Sequence, residues 1–195
     1  MAHRRKKRFN LTTPDQLRLI GSPIAIEIIQ AIRQKGPISI RDLGPIIGRK
    51  PNSLHYHVRK LVKNGFVVQT GTNRSGARSE AVYDVVAEAI VGADLPKNKE
   101  MMELTNAGVG SMLRLAQRNW DSASKNPEIV FKEQTITNLR AHRLSARLSE
   151  EELHKVNEYI VKILDVFKDS IGSDDGQMCS VTLLLTPLEE YSKKQ

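Results

Sequence analysis

The segment KPNSLHYHVRKLVKNG, residues 50–65, carries the side chains with the clearest chemical potential in this sequence. Leu54, Val58, Leu61 and Val62 recur at helical spacing and predict a buried stripe. Pro51 is typical of a first helical position, and Asn64-Gly65 is typical of a helix end. The pattern therefore predicts a helix with one face packed inward and one face available for contacts.

The outward face of this helix combines hydrogen-bonding and basic side chains. Short polar groups near a helix start can enter a DNA major groove and hydrogen-bond to base edges, while Lys and Arg pair with phosphates. The residues predicted to face outward are Asn52, Ser53, Tyr56, His57, Lys60 and Lys63. We assign Asn52 and Ser53 to bases, Tyr56 and His57 to bases or phosphates, and Arg49, Lys50, Arg59 and Lys60 to phosphates. The alternative is an ordinary solvated surface helix.

The elements before this helix fit a helix-turn-helix. Thr13-Pro14-Asp15-Gln16 is typical of a capping box, and a second helix is expected from Ile24 until Gly36-Pro37. Ser39 can cap a third, short helix, which we expect to run from Ile40 to Ile47 and to end at Gly48. The order is thus helix, helix, short helix, tight turn, long helix.

A β-hairpin is expected next, because the spacing of apolar residues changes from helical to extended after Gly65. Phe66–Thr70 and Glu80–Val85 flank the turn-rich segment GTNRSGARS. Arg74 and Arg78 in this tip could contact phosphates or enter a narrow minor groove.

The basic block at the N-terminus is expected to be a flexible arm, because its charge is too high to bury. It could add DNA contacts through Arg4, Arg5, Lys6, Lys7 and Arg8. A solubilising tail or a nuclear-localisation-like cluster are the alternatives.

The distribution of charge supports a polyanion-binding N-terminal half. The net charge is +8, but residues 1–90 hold 16 Lys and Arg against 6 Asp and Glu, a balance of +10 that leaves −2 for residues 91–195. Concentrated basic charge next to a near-neutral second half is typical of a nucleic-acid-reading domain joined to a domain with another role.

Residues 15–86 resemble the winged helix of bacterial and archaeal regulators of the ArsR-like superfamily. The matching features are Tyr56-His57-Val58, Leu61 three residues later, and Gly65-Phe66-Val67 entering the wing. The resemblance implies a winged helix-turn-helix fold, duplex DNA as partner, and a dimer that places two recognition helices in successive major grooves. The metal-sensing branch of that family uses clustered cysteines on the reading domain, which this sequence lacks, so the resemblance is to the branch that does not sense metals.

The second half is expected to be α-rich, with one or two strands. Helices are predicted from about Lys99 to Ser124, with a kink or a close helix crossing at Ala107–Gly110, and from Glu150 to about Lys168, after the capping box at Ser149. Met178–Thr186 is predicted to be a strand, and Thr135–Leu148 is a weaker candidate. We expect the two helices to pack across a dimer, with the core of a monomeric domain as the alternative.

The resulting fold class is mainly α with α+β features. Its expected divisions are a flexible arm (1–12), a winged helix-turn-helix domain (13–88), a connector (89–98), a dimerisation and possible effector domain (99–190) and a tail (191–195).

Several other functions have little support in the sequence. Catalytic motifs are missing, and the single cysteine, Cys179, cannot supply the paired thiolates of a soft-metal site. A metal held by His142, His154 and Cys179 is an unfavoured alternative, so neither a metal nor a cofactor is expected. The chain has no apolar run that could span a bilayer and no secretory signal, so we expect a cytoplasmic, nucleoid-associated protein without membrane contact.

The predicted function is that of a homodimeric, sequence-specific regulator, more often a repressor, which binds a pseudo-palindromic site and has a possible unidentified small-molecule or protein effector. One alternative is a nonspecific architectural or RNA-binding protein. The other is an enzyme that uses the winged helix for targeting, which would need converging titratable groups in residues 97–195.

Overall fold

The computed structural model describes residues 3–75, 78–91, 98–130 and 137–188. Along the chain its strands and helices are β1 Lys6–Asn10, α1 Pro14–Ile20, α2 Pro23–Lys35, β2 Ile38–Ser39, α3 Ile40–Ile46, α4 Pro51–Lys63, β3 Val67–Ser75, β4 Arg78–Val85, β5 Ala87–Val91, α5 Lys99–Ser124, a 3-10 turn Pro127–Ile129, and α6 Glu150–Asp169. The fold is a winged helix-turn-helix followed by two long helices, as the sequence predicts.

Capping side chains start the helices where the sequence indicates. Thr13 and Gln16 form the predicted capping box at α1, and the Ser39 hydroxyl accepts a hydrogen bond from the Asp42 amide at the start of α3. Helix α2 ends at Gly36, whose positive φ of 79° suits a residue without a side chain. Apolar side chains of α2, α3 and α4 then close one core, which includes Ile28, Ile32, Leu43, Leu54, Val58 and Leu61.

The tight turn between α3 and α4 depends on Gly44. A Cβ atom built at Gly44 would lie 2.7 Å from the Arg49 carbonyl oxygen and 3.0 Å from Cγ of Pro51. The Gly44 carbonyl also accepts a hydrogen bond from the Arg49 amide at 2.9 Å. The absence of a side chain therefore lets α4 begin directly against α3.

We expect Gly44→Ala to lower the free energy of unfolding by about 1 to 2 kcal/mol, because overpacking outweighs the better helix propensity of alanine. Gly71→Ala is the matched control, since a Cβ atom at Gly71 meets nothing within 4 Å. Urea unfolding of both variants checks the prediction, and equal midpoints would contradict it.

The wing is a three-stranded sheet in the order β2-β4-β3. Strands β3 and β4 pair in antiparallel fashion from Val67↔Val85 to Ser75↔Arg78, with an irregularity between Gln69 and Gly71. The hairpin is thus longer than predicted. Most of GTNRSGARS, expected to form a loop, continues the ladder, because the pairs from Gly71↔Val82 to Ser75↔Arg78 follow the irregularity.

The prediction of a flexible N-terminal arm is wrong for residues 6–10. This segment is strand β1, which pairs in parallel with β5 from Lys6↔Ala87 to Asn10↔Val91. The Phe9 ring packs against the Phe66 ring, with centroids 5.0 Å apart. Backbone pairing and one aromatic contact hold the segment while its lysines stay exposed, so its charge does not prevent folding. Strand β5 also occupies the start of the predicted connector.

Helix α5 has the predicted bounds and packs through one face on the winged helix-turn-helix part of the chain, β1 to β5, which is called the head below. Met101, Ser111 and Leu115 are buried. The helix is continuous through Gly108, and a Cβ atom at Gly21 would lie 3.3 Å from the Gly108 Cα atom. Of the two alternatives for Ala107–Gly110, the structure shows the close crossing.

Helix α6 begins at the predicted capping box, where Ser149 and Glu152 exchange hydrogen bonds, but none of its residues is buried. The strand predicted at Met178–Thr186 is wrong, and residues 137–148 of the weaker candidate contain an isolated β-bridge residue, Thr137, but no strand. Within the described ranges no strand lies beyond Val91 to pair with these segments. No helix in the described part of the chain is long and apolar enough to cross a membrane.

Candidate nucleic-acid interface

The outward face of α4 has the composition that the sequence predicts. Leu54, Val58 and Leu61 are fully buried, whereas Val62, assigned to the inner stripe, is 38% exposed. Val62 therefore lies at the edge of the stripe, where the helix turns away from the core. His57 is half-buried, and the other predicted α4 contacts are exposed: Asn52, Ser53, Tyr56, Arg59, Lys60 and Lys63.

Contacts within α4 order part of this face. The Lys60 ammonium lies 4.5 Å from the centroid of the Tyr56 ring, a cation–π contact, and the Tyr56 and His57 rings meet edge to face at 5.4 Å. The Ser53 hydroxyl donates to the Lys50 carbonyl oxygen at 2.7 Å, which leaves its lone pairs to accept from a base. Nε of Arg59 donates to the His55 carbonyl oxygen at 3.3 Å.

His57 has a lowered pKa. Burial of the imidazole lowers this pKa most, and the positive charges of Arg49 and Lys60 lower it further. His57 is consequently neutral at pH 7, with one ring nitrogen able to donate and the other able to accept.

We expect acidification to reduce stability through His57. Because the folded-state pKa lies below the ordinary value of 6.5, the unfolded chain binds more protons between these two values, so stability falls as pH drops through that window. From about pH 7.5 to about pH 5.0, urea midpoints should fall less for His57→Gln than for the wild type. His55→Gln, at an exposed neighbouring position, is the control, and parallel losses in all three proteins would contradict the prediction.

The turn before α4 carries Arg49 and Lys50, both exposed. Nη2 of Arg49 lies 3.7 Å from Oε2 of Glu27, a residue of α2. Sequence reasoning missed Glu27, because a lone acidic residue in an amphipathic helix gives no local signal of its partners.

The wing tip contributes Arg74, whose residue is exposed near the end of β3. The backbone of Arg78 pairs with Ser75, and the Arg78 side chain lies outside the described residues. A shallow pocket between the wing and α3 is lined by Arg41, Asp42, Asn73, Arg74 and Glu80, and Arg41 contacts Glu80 at 3.4 Å. Arg41 is thus a basic residue beside Arg74 that sequence reasoning did not single out.

Arg5, predicted to contact DNA, is instead directed into the domain. Its guanidinium makes two-pronged hydrogen bonds with the Asp84 carboxylate, at 2.7 to 3.1 Å, and donates to the Arg33 carbonyl oxygen at 3.0 Å. The Asp84 side chain is only 5% exposed, so it needs this cation. The assignment of Arg5 as a DNA contact is therefore wrong.

The other basic residues of the N-terminal block are exposed: Arg4, Lys6, Lys7 and Arg8. They lie at the root of the β3–β4 hairpin, opposite its tip. Val85 pairs with Val67 at this root, and β5, the partner of β1, begins two residues later at Ala87. The eight residue steps from Val67 to Ser75 span roughly 25 Å of strand, so the structure does not bring the block together with Arg74.

Among the described residues, no group of three or more His, Cys, Asp and Glu side chains could hold a metal ion. His142, His154 and Cys179 are all exposed.

Among the comparisons with known proteins, the match to a family model lies within the head. A family model described as HVO_A0114 matches residues 22–87, about a third of the chain. No curated protein matches the chain.

Two solved structures are similar at low identity. One is the multiple antibiotic-resistance repressor (MarR) from Listeria monocytogenes 4b F2365, which is 15% identical over 80% of this chain and 84% of that one, with a TM-score of 0.29. The other is RV1404 from Mycobacterium tuberculosis, which is 13% identical over 84% of this chain and 75% of that one, with a TM-score of 0.26.

Proposed function

We propose that this chain is a sequence-specific regulator that binds duplex DNA through its winged helix-turn-helix. The observation that carries the proposal is α4, whose buried stripe fixes the helix to the head while its polar and basic face stays exposed. A helix presented in this way, followed by the β3–β4 hairpin of the wing, matches the geometry with which such heads enter a major groove.

The side chains of the head divide by chemistry. Asn52 and Ser53 at the start of α4 are the base contacts, with Tyr56 and His57 one turn later. Arg49, Lys50, Arg59, Lys60 and Lys63 contact phosphates. Arg74 and Arg78 extend the contacts along the wing, and the exposed block Arg4, Lys6, Lys7 and Arg8 adds positive charge at the wing root.

We propose that the regulator is a homodimer joined largely through α6. Along this 20-residue helix, Leu153, Val156, Ile160, Ile163 and Phe167 follow alternating spacings of three and four residues, the pattern of a coiled-coil seam. Leu153 and Ile163 are more than 40% exposed and Phe167 is 36% exposed. A second copy of α6 would cover this seam over about 30 Å.

An antiparallel arrangement of the two α6 helices suits their charges best. Glu150, Glu151 and Glu152 form the first turn, and Lys168 lies in the last turn. Antiparallel pairing separates the two acidic first turns and opposes the two helix dipoles, whereas parallel pairing would bring six carboxylates together.

Within this proposal the protein acts as a repressor of the winged-helix type that does not sense metals. The described residues contain no cysteine on the head, since Cys179 lies after α6. Any effector would act through the α5–α6 half of the chain.

Selection of bound duplexes from a random pool tests the proposed function. A recovered pseudo-palindrome, bound much more tightly than its scrambled sequence at fixed salt, is the expected result. Nearly equal affinities for the selected duplex, the scrambled duplex and RNA would replace the proposal with nonspecific, phosphate-driven binding.

A further inference from the structure

A nearly buried carboxylate, Glu27 of α2, lies between the recognition-helix turn and the long helix α5. Its side chain is 16% exposed, and its Oε1 atom accepts a short hydrogen bond from Nη2 of Arg118. Its Oε2 atom is buried and has no hydrogen-bond partner within the described part of the chain, although Nη2 of Arg49 is 3.7 Å away. The Glu27 carboxylate therefore lies beside two arginines but accepts a hydrogen bond from one of them, Arg118.

The two arginines belong to different parts of the molecule. Arg118 lies near the end of α5, while Arg49 lies in the turn that opens α4 and is a proposed phosphate contact. Both side chains are nearly half exposed, at 49% and 43%, so each can move. Glu27 is confined, because only 16% of its side chain is exposed and α2 is packed in the core.

A buried carboxylate is costly without a cationic partner. While Arg118 is paired with Glu27, the carboxylate has a cationic partner. Nη2 of Arg49 then stays 3.7 Å from Oε2 of Glu27, beyond hydrogen-bond distance. Without Arg118, Arg49 is the cation nearest to Glu27 in the described part of the chain, and a charge-assisted hydrogen bond would form if it moved about 0.8 Å closer. An arginine held in this way is withdrawn from a DNA phosphate.

We propose that Glu27 is a positioning residue for DNA binding, and that Arg118 prevents it from drawing Arg49 away from the DNA. The contact couples the placement of α5 to the charge available at the start of the recognition helix. This inference rests on the proposed function, because it requires Arg49 to contact phosphate.

Variants that replace a charged side chain with neutral glutamine test the inference. Arg118→Gln should weaken binding to a selected duplex about fivefold per head at about 0.15 M salt, because one phosphate contact is lost. The same loss should reduce the slope of log affinity against log salt concentration by about 0.9. Glu27→Gln should not weaken binding, and adding Glu27→Gln to Arg118→Gln should restore both affinity and salt slope. In an Arg49→Gln background, Arg118→Gln should have no effect.

The matched control is Arg114→Gln, one turn earlier on α5, whose guanidinium bonds to Ser111 at 2.8 Å. This variant should keep the wild-type salt slope, and thermal unfolding of every variant identifies losses of stability. Unchanged binding by Arg118→Gln, or a loss that persists in the double variant, would overturn the role of Glu27 while the proposed function stands. Equal binding of selected and scrambled duplex by the wild type would overturn both.

Discussion

Arg5→Ala is expected to lower the free energy of unfolding by about 2 to 4 kcal/mol, because it leaves the buried Asp84 carboxylate without its cation. Arg5 contributes two-pronged hydrogen bonds to Asp84 and two further bonds to the carbonyl oxygens of Ile32 and Arg33 at the end of α2. Its removal also relieves a repulsion, since partial burial and, to a smaller extent, the positive charge of Arg5 lower the pKa of the Arg33 guanidinium.

Two comparisons make the Arg5 prediction specific. Arg4→Ala removes an equal charge from an exposed neighbour and should be nearly neutral. Adding Asp84→Asn to Arg5→Ala should recover part of the stability, because a neutral amide is cheaper to bury than a carboxylate. Denaturant unfolding of these proteins measures the effect, and equal midpoints for Arg4→Ala and Arg5→Ala would refute it.

Ile160→Glu is expected to separate the proposed dimer and to weaken binding to a selected duplex by at least about 100-fold. Ile160 is the central residue of the α6 seam, so the substitution places a carboxylate from each copy in the middle of an apolar contact. A monomer would then bind with one head, without the gain from linking two heads. Sedimentation velocity and fluorescence anisotropy follow the mass and the affinity, respectively.

Val161→Glu is the matched control for Ile160→Glu. Val161 is the next residue of α6, lies off the seam and is 52% exposed. This variant should keep the mass and the affinity of the wild type. Circular dichroism should show that both variants retain their helices, and a dimeric Ile160→Glu protein would rule out the α6 interface.

The helices were predictable because their signals are local. Caps at Thr13, Ser39 and Ser149 and apolar periods within each segment are enough to place α1, α3 and α6. The same holds for the exposed face of α4. These features depend on residues within about one or two turns of each other, so a single sequence displays them.

The features that sequence reasoning missed depend on distant partners. Strand β1 exists because β5, about 80 residues later, pairs with it, and nothing in the composition of residues 6–10 announces that pairing. Conversely, Met178–Thr186 has strand composition but no strand partner in the described residues. Arg5 and Glu27 also take their roles from Asp84 and Arg118, which lie far from them in the chain.

The parallel pairing of β1 with β5 has a consequence for synthesis of the chain. Lys6 leaves the ribosome 81 residues before its partner Ala87. At about 5 to 20 residues per second, roughly 4 to 16 seconds pass before β1 can pair. During that interval the N-terminal segment is an unpaired strand next to nascent helices, and the head reaches its final form only after the whole wing has emerged. Completion of the head therefore waits for β5, although β1 emerges about 80 residues earlier.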